Sequence, residues 1–338
     1  MVNIAQVKIL ILRFSSIGDI VLTTPVVRCL RNKFPEAQIH YATKKAYHSI
    51  LQYNPYINKL HLFDGSLTAL VRELKQENFD YIIDLHHNQR TFLIKSQLGV
   101  KSFAFNKLNV EKWLMVNFKW NRLPEKHIVD RYLDTCHPLG VTNDGEGLDY
   151  FISNDDKVNI QHTLSENFSA HYIAWVIGAK QNTKKFPVPK IISVLKQLDK
   201  PVVLLGGKED MPNANEIVRQ LSIGNYQLFN ACGKFSLNQS ASLIQQSKLV
   251  VTNDTGLMHI AAAFKKPIIS LWGNTIPEFG MWPYYGKHEI SNFKFQTSNL
   301  PCRPCSKIGY SSCPKGHFNC MNQIDEQVLL NQINTLMH

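Results

Sequence analysis

The stretch "VKILILRFSSIGDIVLTTPVVRCL", residues 7 to 30, sets the fold. Six residues that read as a strand apolar on both faces break into Ser15, Ser16, Gly18 and Asp19. An apolar periodic segment with Ile20, Val27, Leu30 and Phe34 on one helical face then follows. Continuous apolar strands belong to parallel sheets covered on both sides by helices, and a strand, a small polar loop and a helix aim backbone N–H groups at an anion. Ser and Gly let the loop turn tightly, and Gly18 is free to take a positive φ. Pro25 either kinks the helix or occupies its first turn with Thr24 as the cap.

The same rhythm recurs outward from this stretch. Apolar runs at 38–42 and 81–85 continue it in the first half; runs at 172–178, 201–207, 248–254 and 267–273 repeat it in the second. A chain of 338 residues is long for one core. The expected architecture is therefore α/β: two doubly wound, Rossmann-like domains, with ligands at the carboxyl ends of the strands and an interdomain cleft as the active site. Gly, Asn and Asp accumulate at residues 142–161 and mark the boundary, which places an N-terminal domain at 1–155 and a C-terminal domain at 156–338. The last helix is a candidate to pack back on the N-terminal domain.

No run approaches the roughly 20 apolar residues of a membrane span, and the start of the chain has neither a basic leader nor a cleavage site. A cytoplasmic location is expected. The formal net charge of +11 favours an anionic partner, but the basic residues are spread without a block, which disfavours nucleic acid. Cys29, Cys136 and Cys232 sit in apolar surroundings and read as small core residues.

The second half carries the most specific pattern. In "VVTNDTGLMHIAAAF", residues 250 to 264, a strand runs into Asn253, Asp254, Thr255 and Gly256 and a helix begins, leaving unpaired N–H groups suited to a pyrophosphate. His259 lies one turn beyond Thr255, on the same face. Two other loops share that strand-end edge: "GAKQNTKKFP" offers Lys184 and Lys185 as point charges for phosphate, and "GGKED" offers Glu209 for ribose hydroxyls. Asp19, by contrast, is wrong for a phosphate cradle. It either caps a helix, favoured there by the dipole, or is a general base within reach of a hydroxyl.

Taken together, "RFSSIGDIVLTTPVV", "NPYINKLHLFD", "TKKFP", "LLGGKED" and "NDTGLMHIAAA" resemble glycosyltransferase family 9, the ADP-heptose:lipopolysaccharide heptosyltransferases, in order from about residue 7 to about 325. The resemblance implies a GT-B fold, inverting chemistry and no metal required for catalysis. It implies that Asp19, in the loop of Ser15, Ser16 and Gly18, is the base that deprotonates the acceptor. It implies that Lys184, Glu209, Asp254, Thr255, Gly256 and His259 bind the donor, and that His86, Asn88 and Arg90 of "DLHHNQR" meet the acceptor. The partners it implies are ADP-heptose and a lipopolysaccharide core acceptor, with peripheral contact at the inner face of the inner membrane and no nucleic acid. Another GT-B transferase using a different nucleotide sugar remains open, as does a zinc-dependent nucleic-acid-binding protein, although the latter leaves the Asp19 and Asp254 loops without purpose. Adenine contacts are expected around residues 271–280, from backbone and apolar groups.

Four cysteines crowd into "PCRPCSKIGYSSCPKGHFNC", residues 301 to 320. Cys302, Cys305, Cys313 and Cys320, or three of them with His317, have the composition of a tetrahedral structural zinc site, although the C-x6-C gap is unlike a zinc ribbon. Reduced thiols are the alternative.

Overall fold

The computed structural model describes residues 7–164, 168, 171–224, 226–288 and 293–337. Residues 1–6, which carry part of the reading of the chain's start, lie outside the described residues. The chain divides into two units. The first takes the described residues up to Lys107, together with Lys126–Phe151 and Gly286–His288. The second takes Leu108–Glu125, Ile152–Tyr285 and the remainder.

In the first unit, the apolar runs form β1 (Lys8–Leu12), β2 (Gln38–Lys44) and β4 (Tyr81–Asp84), with β3 (Lys59–Phe63) and β5 (Lys101–Ala104) at the edges. All pair in parallel in the order β3-β2-β1-β4-β5. Leu10 and Leu12 of β1, Ala42 of β2 and Ile82 of β4 pack against Leu70, Val71 and Leu74 of the helix Leu67–Lys75 and Ile94 of the helix Gln89–Leu98. The expected single helix after β1 is split in two: α1 (Ile17–Val21) and α2 (Thr24–Lys33). Pro25 does sit in the first turn of α2, but the cap position is Thr23 rather than Thr24. The reason lies in the side chains, since Thr23 Oγ1 donates to Ile20 O at 2.7 Å and Thr24 Oγ1 to Val21 O at 2.8 Å, so both threonines close the end of α1. Phe34, at the C-cap, ends that helix.

Arg28 of α2 fixes the later segment of this unit. Its guanidinium is 2.7 and 2.9 Å from the Asp144 carboxylate, donates to Gly147 O at 2.8 Å and pairs with Asp149. Burial alone would raise the Asp144 carboxyl, but the Arg28 hydrogen bond and the Glu146 amide bring it down to about 2.

The second unit repeats the plan. Strands β6 (Ile173–Val176), β7 (Val202–Leu205), β8 (Leu228–Asn230), β9 (Leu249–Asn253), β10 (Ile268–Trp272) and β11 (Phe293–Thr297) pair in parallel in the order β11-β10-β9-β6-β7-β8. Trp175, Leu204, Val251 and Leu271 form the centre of its core. The sequence leaves the closing helix Glu326–Met337 free to pack on the N-terminal domain; it instead buries Leu329, Leu330 and Ile333 in the core of the second unit. Cys29, Cys136 and Cys232 are buried as expected, and burial pushes their thiols up to about 11, 12 and 12.

Each sheet reverses its strand order once, between β1 and β4 in the first unit and between β6 and β9 in the second. These are the places where an open parallel sheet leaves a crevice at its carboxyl edge.

Candidate active site

The first crevice is bounded by the loop after β1 and the loop after β4. Arg13 is the first residue beyond the fully buried run of β1, and it is itself only 7% exposed. Its guanidinium bridges the reversal: Nε donates to Ser15 O at 2.8 Å, while Nη1 donates to Leu85 O at 2.5 Å and to the Tyr132 hydroxyl at 3.0 Å. Nη2 lies 2.6 Å from Asp19 Oδ1. The other carboxylate oxygen, Oδ2, accepts from the Ser16 N–H at 3.0 Å and from Ser16 Oγ at 2.7 Å. Asp19 is thus the third residue of a helix turn that reaches back to its cap, and at once the partner of a buried cation. Burial works against the Arg13 charge, yet Asp19, Tyr132 and Tyr41 more than offset it and hold the guanidinium above its ordinary value. Gly18 lies inside α1 and is not among the described residues with positive φ, so the turn does not use its conformational freedom.

From the other side of the crevice, the Asp84 carboxylate at the end of β4 accepts from the His86 and His87 N–H groups at 3.1 and 2.7 Å. His86 stacks edge-on against Phe14, with 5.8 Å between ring centroids, and its buried Nδ1 has no hydrogen-bond partner. Burial, aided by the charges of Arg13 and Lys107, pushes His86 down to about 4, so it is neutral at pH 7. Asn88 caps the helix Gln89–Leu98 through Oδ1, which accepts from Thr91 N at 3.0 Å. Arg90 lies over the faces of Phe14 (5.3 Å) and Phe63 (4.5 Å). Of the three expected acceptor residues, His86 shares the crevice with Arg13 and Asp19; Asn88 and Arg90 have these local partners.

In the second crevice, three loops meet at one carboxylate. Asp254, just past β9, receives Lys184 Nζ at 2.5 Å from the loop after β6 and Thr275 Oγ1 at 2.9 Å from the loop after β10. Asn253 holds the loop after β6: its Oδ1 accepts from Phe186 N at 3.0 Å, and its Nδ2 lies 3.1 to 3.3 Å from the carbonyls of Val176, Ile177 and Gly178. Close backbone approach requires glycine at two points. A Cβ on Gly178 would stand 2.2 Å from Asp210 Oδ2, and one on Gly273 would stand 2.6 Å from Thr183 O. Lys185 turns from Lys184 and pairs with Asp210 at 2.7 Å.

Thr255 is the N-cap of the helix Gly256–Ala263. The first-turn amides at Gly256 and Leu257 precede the helix's own ladder of acceptors and point out of its N-terminus. His259 is buried in this helix, one turn in, and Glu209 is exposed after β7, its carboxylate folded over Gly207. The arrangement offers an anion two helix amides and one lysine, and it offers hydroxyl groups the Asp254 and Glu209 carboxylates.

Sequence reasoning passes over Arg13, Tyr132, Asn253, Thr275 and Asn274 as site residues. Arg13 and Asn253 had a signal, a charged or amide residue directly at the end of a fully apolar strand. Asn274, 2% exposed, has neither side-chain amide atom hydrogen-bonded, a state that calls for a partner. It falls in the segment expected to meet adenine.

In the cysteine segment, Cys302 Sγ lies 4.0 Å from His317 Nε2 and Cys305 Sγ donates to Cys302 O at 3.1 Å. Cys320 is buried, and burial raises its thiol to about 11. Among the described residues, the trio of potential ligand atoms found within 4.8 Å of one another is His40, His61 and Glu77, and not a set of these cysteines.

Comparison with known proteins places this geometry in context. Residues 67–310 match the family described as glycosyltransferase family 9 (heptosyltransferase). Lipopolysaccharide heptosyltransferase 3 of Escherichia coli K12 is 28% identical over 307 residues, covering 85% of this chain and 88% of that protein. A family 9 glycosyltransferase from Veillonella parvula superposes with a TM-score of 0.78 at 24% identity, covering 98% and 97% of the two chains. The E. coli ADP-heptose lps heptosyltransferase II superposes with a TM-score of 0.73 at 22% identity, with 98% of each chain covered. These structures share the GT-B fold of two parallel-sheet α/β domains.

Proposed function

Because the chain belongs to glycosyltransferase family 9, we propose that it moves heptose from ADP-heptose to a sugar of the lipopolysaccharide inner core, with inversion at the anomeric carbon. The observation that carries this reading is the contrast between its two cation–carboxylate pairs. Arg13–Asp19 is anchored on every side, whereas Lys184–Asp254 joins a single-stemmed ammonium to a carboxylate beside a helix N-terminus.

In the proposed reaction the Asp19 carboxylate takes the proton of the acceptor hydroxyl. Both of its oxygens are occupied, but the Ser16 hydroxyl is a rotor, and its rotation leaves an Oδ2 lone pair for the incoming O–H. The acceptor oxygen then forms its bond to the anomeric carbon as the bond from that carbon to the diphosphate breaks, and ADP departs. Negative charge grows on the phosphate oxygens during this step. The amides at Gly256 and Leu257, with Lys184 exchanged from Asp254 to phosphate, stabilise that charge most when it is largest. Asp254, released from Lys184, accepts from heptose hydroxyls, Glu209 from the nucleoside, and Thr255 and His259 line the same turn. His86, neutral at pH 7, sits beside Arg13 and Asp19 in the crevice that receives the sugar with the reacting hydroxyl. No step in this scheme needs a metal; a structural zinc on Cys302, Cys305, Cys313 and Cys320 would require their sulfurs to converge.

A thermal-shift screen with ADP, UDP, GDP and their sugars tests the donor. The expected result is a shift with ADP and ADP-heptose alone; an equal response to UDP or GDP would favour the transferase of another nucleotide sugar.

We further propose that the protein works in the cytoplasm against the inner leaflet, where a lipid-borne acceptor resides. Among the described residues no helix is long and apolar enough to cross a membrane. The helix Asn109–Phe118 buries none of its residues and exposes Val110, Trp113 and Phe118, with Trp120 next to it and Lys112, Lys119 and Arg122 in the same stretch. Exposed tryptophan beside lysine and arginine suits an anionic lipid interface. Flotation with anionic liposomes at low salt is expected, and weakened flotation in Trp113→Ser/Trp120→Ser; no flotation at low salt would count against this placement.

A further inference from the structure

Away from both crevices, the first unit contains a polar cluster that the transfer reaction does not use. His40 on β2 is 4% exposed and His61 on β3 is 0% exposed. In the parallel register His61 stands opposite Ala42, two residues beyond His40, so the two imidazoles are diagonal neighbours on one face of the sheet. The helix Leu67–Lys75 crosses that face and carries Glu73; Glu77 follows four residues later. His40 Nδ1 and His61 Nε2 are 3.0 Å apart, His61 Nδ1 and Glu73 Oε1 are 2.5 Å apart, and Glu77 Oε2 is 3.9 Å from His40 Nδ1. The three ligand atoms of His40, His61 and Glu77 all lie within 4.8 Å of one another.

We propose that His40, His61 and Glu77 form a binding site for a divalent transition metal of the zinc class, with Glu73 orienting His61.

Three features carry this. The Glu73 carboxylate accepts from His61, which places the imidazole proton on Nδ1 and turns the Nε2 lone pair toward His40, the carboxylate–histidine arrangement that supports metal ligation. Glu77 Oε2 is too far from His40 for a hydrogen bond, while tetrahedral ligand atoms about 2.0–2.2 Å from zinc lie roughly 3.3–3.6 Å from each other, between the 3.0 and 3.9 Å that separate His40 Nδ1 from His61 and Glu77. Lys59 occupies the opposite oxygen, Oε1, at 2.5 Å, whereas Lys8 Nζ donates to the Glu77 carbonyl at 2.9 Å and lies 3.5 Å from Oε2, so Oε2 faces both Lys8 and the histidines and Lys8 must yield to a metal there. The metal-free alternative is a plain hydrogen bond from His40 Nδ1–H to His61 Nε2. The two lysines set a charge penalty for a dication, so the site binds less tightly than one with a free carboxylate. Buried as it is, it would tie β2, β3 and the helix together rather than meet substrate.

The test is zinc titration of the chelator-treated, full-length protein against a competing chelator, with Cys302, Cys305, Cys313 and Cys320 changed to Ser so that thiolates cannot answer. One zinc per chain is expected. His61→Asn removes it and Glu73→Gln weakens it 10-fold or more. Lys59→Gln, at a half-exposed position, tightens it several-fold, which a merely structural role for these residues would not do. If the serine variant does not fold, the same titration compares the unaltered chain with Glu73→Gln and Lys59→Gln. An absence of zinc binding, or an affinity indifferent to Glu73 and Lys59, would overturn the proposal and leave the hydrogen-bonded pair.

Discussion

The two strand-order reversals of this molecule are built alike and fastened differently. Each sets a carboxylate beside a cation in the loop past a fully buried strand. At the first, the cation is Arg13, whose planar fork is spent on two carbonyls, a tyrosine hydroxyl and Asp19. At the second, it is Lys184, whose ammonium meets Asp254 alone among the described contacts and hangs on a flexible stem. A guanidinium held in four directions fixes the carboxylate it touches. A lysine can transfer its charge to a newcomer. The difference suits a permanent base in one unit and an exchangeable phosphate contact in the other.

The largest expected effect is at the anchored pair. Asp19→Asn keeps the size of the side chain and removes the base, and transfer should fall by about 10²–10⁴-fold in an ADP-release assay. Undiminished turnover would show that Asp19 is a cap and nothing more. At the exchangeable pair, Lys184→Ala should lower turnover by about 10²–10³-fold, and Lys184→Arg should restore part of it, since position and charge survive. If the arginine variant were as inactive as the alanine one, a point charge would not be the contribution of Lys184.

Smaller effects sharpen the contrast. Arg13→Gln removes the positive charge beside Asp19, so the acid limb of the pH–rate profile should move to higher pH, with turnover at pH 8 reduced by about 10-fold or less. An unmoved limb would separate Arg13 from the ionisation of the base. His86, held at about 4, should give no inflection between pH 5 and 8. Away from the chemistry, Asp144→Asn tests whether the first unit is held by Arg28. The folded Asp144 carboxyl titrates near 2 against about 3.9 when unfolded, so its stabilisation is present above pH 4 and is lost as the pH falls through 2. At pH 7 the variant should lose about 2 kcal/mol in urea unfolding, and near pH 2 the difference should close.

The repeated apolar strands made the two parallel sheets legible, because a strand buried on both faces leaves an unbroken apolar run. The strands that escaped were β3, β5, β8 and β11, which lie at or next to the sheet edges and carry half-exposed, mixed residues such as Lys59, Lys101 and Lys294. The loops past β1, β6 and β9 could be named from Asp19, Lys184 and the Asp254–Gly256 turn. Their pairings could not. Lys184 meets Asp254 across 70 residues and Arg13 meets Tyr132 across 119, and nothing local encodes either partner. Local chemistry was also ambiguous at Asp19, where the same carboxylate that suits a base also satisfies the start of α1. The cluster of His40 and His61 gave no signal at all, since each is a lone histidine in its own strand and only the register brings them together.

The account rests on a division of labour between Asp19 and Lys184, and one pair of binding curves addresses it: calorimetric titration of ADP into Asp19→Ala and Lys184→Ala. The prediction is an ADP affinity within about twofold of the unaltered protein for Asp19→Ala and weakened by about 10-fold for Lys184→Ala. Equal weakening in both, or a loss confined to Asp19→Ala, would contradict it.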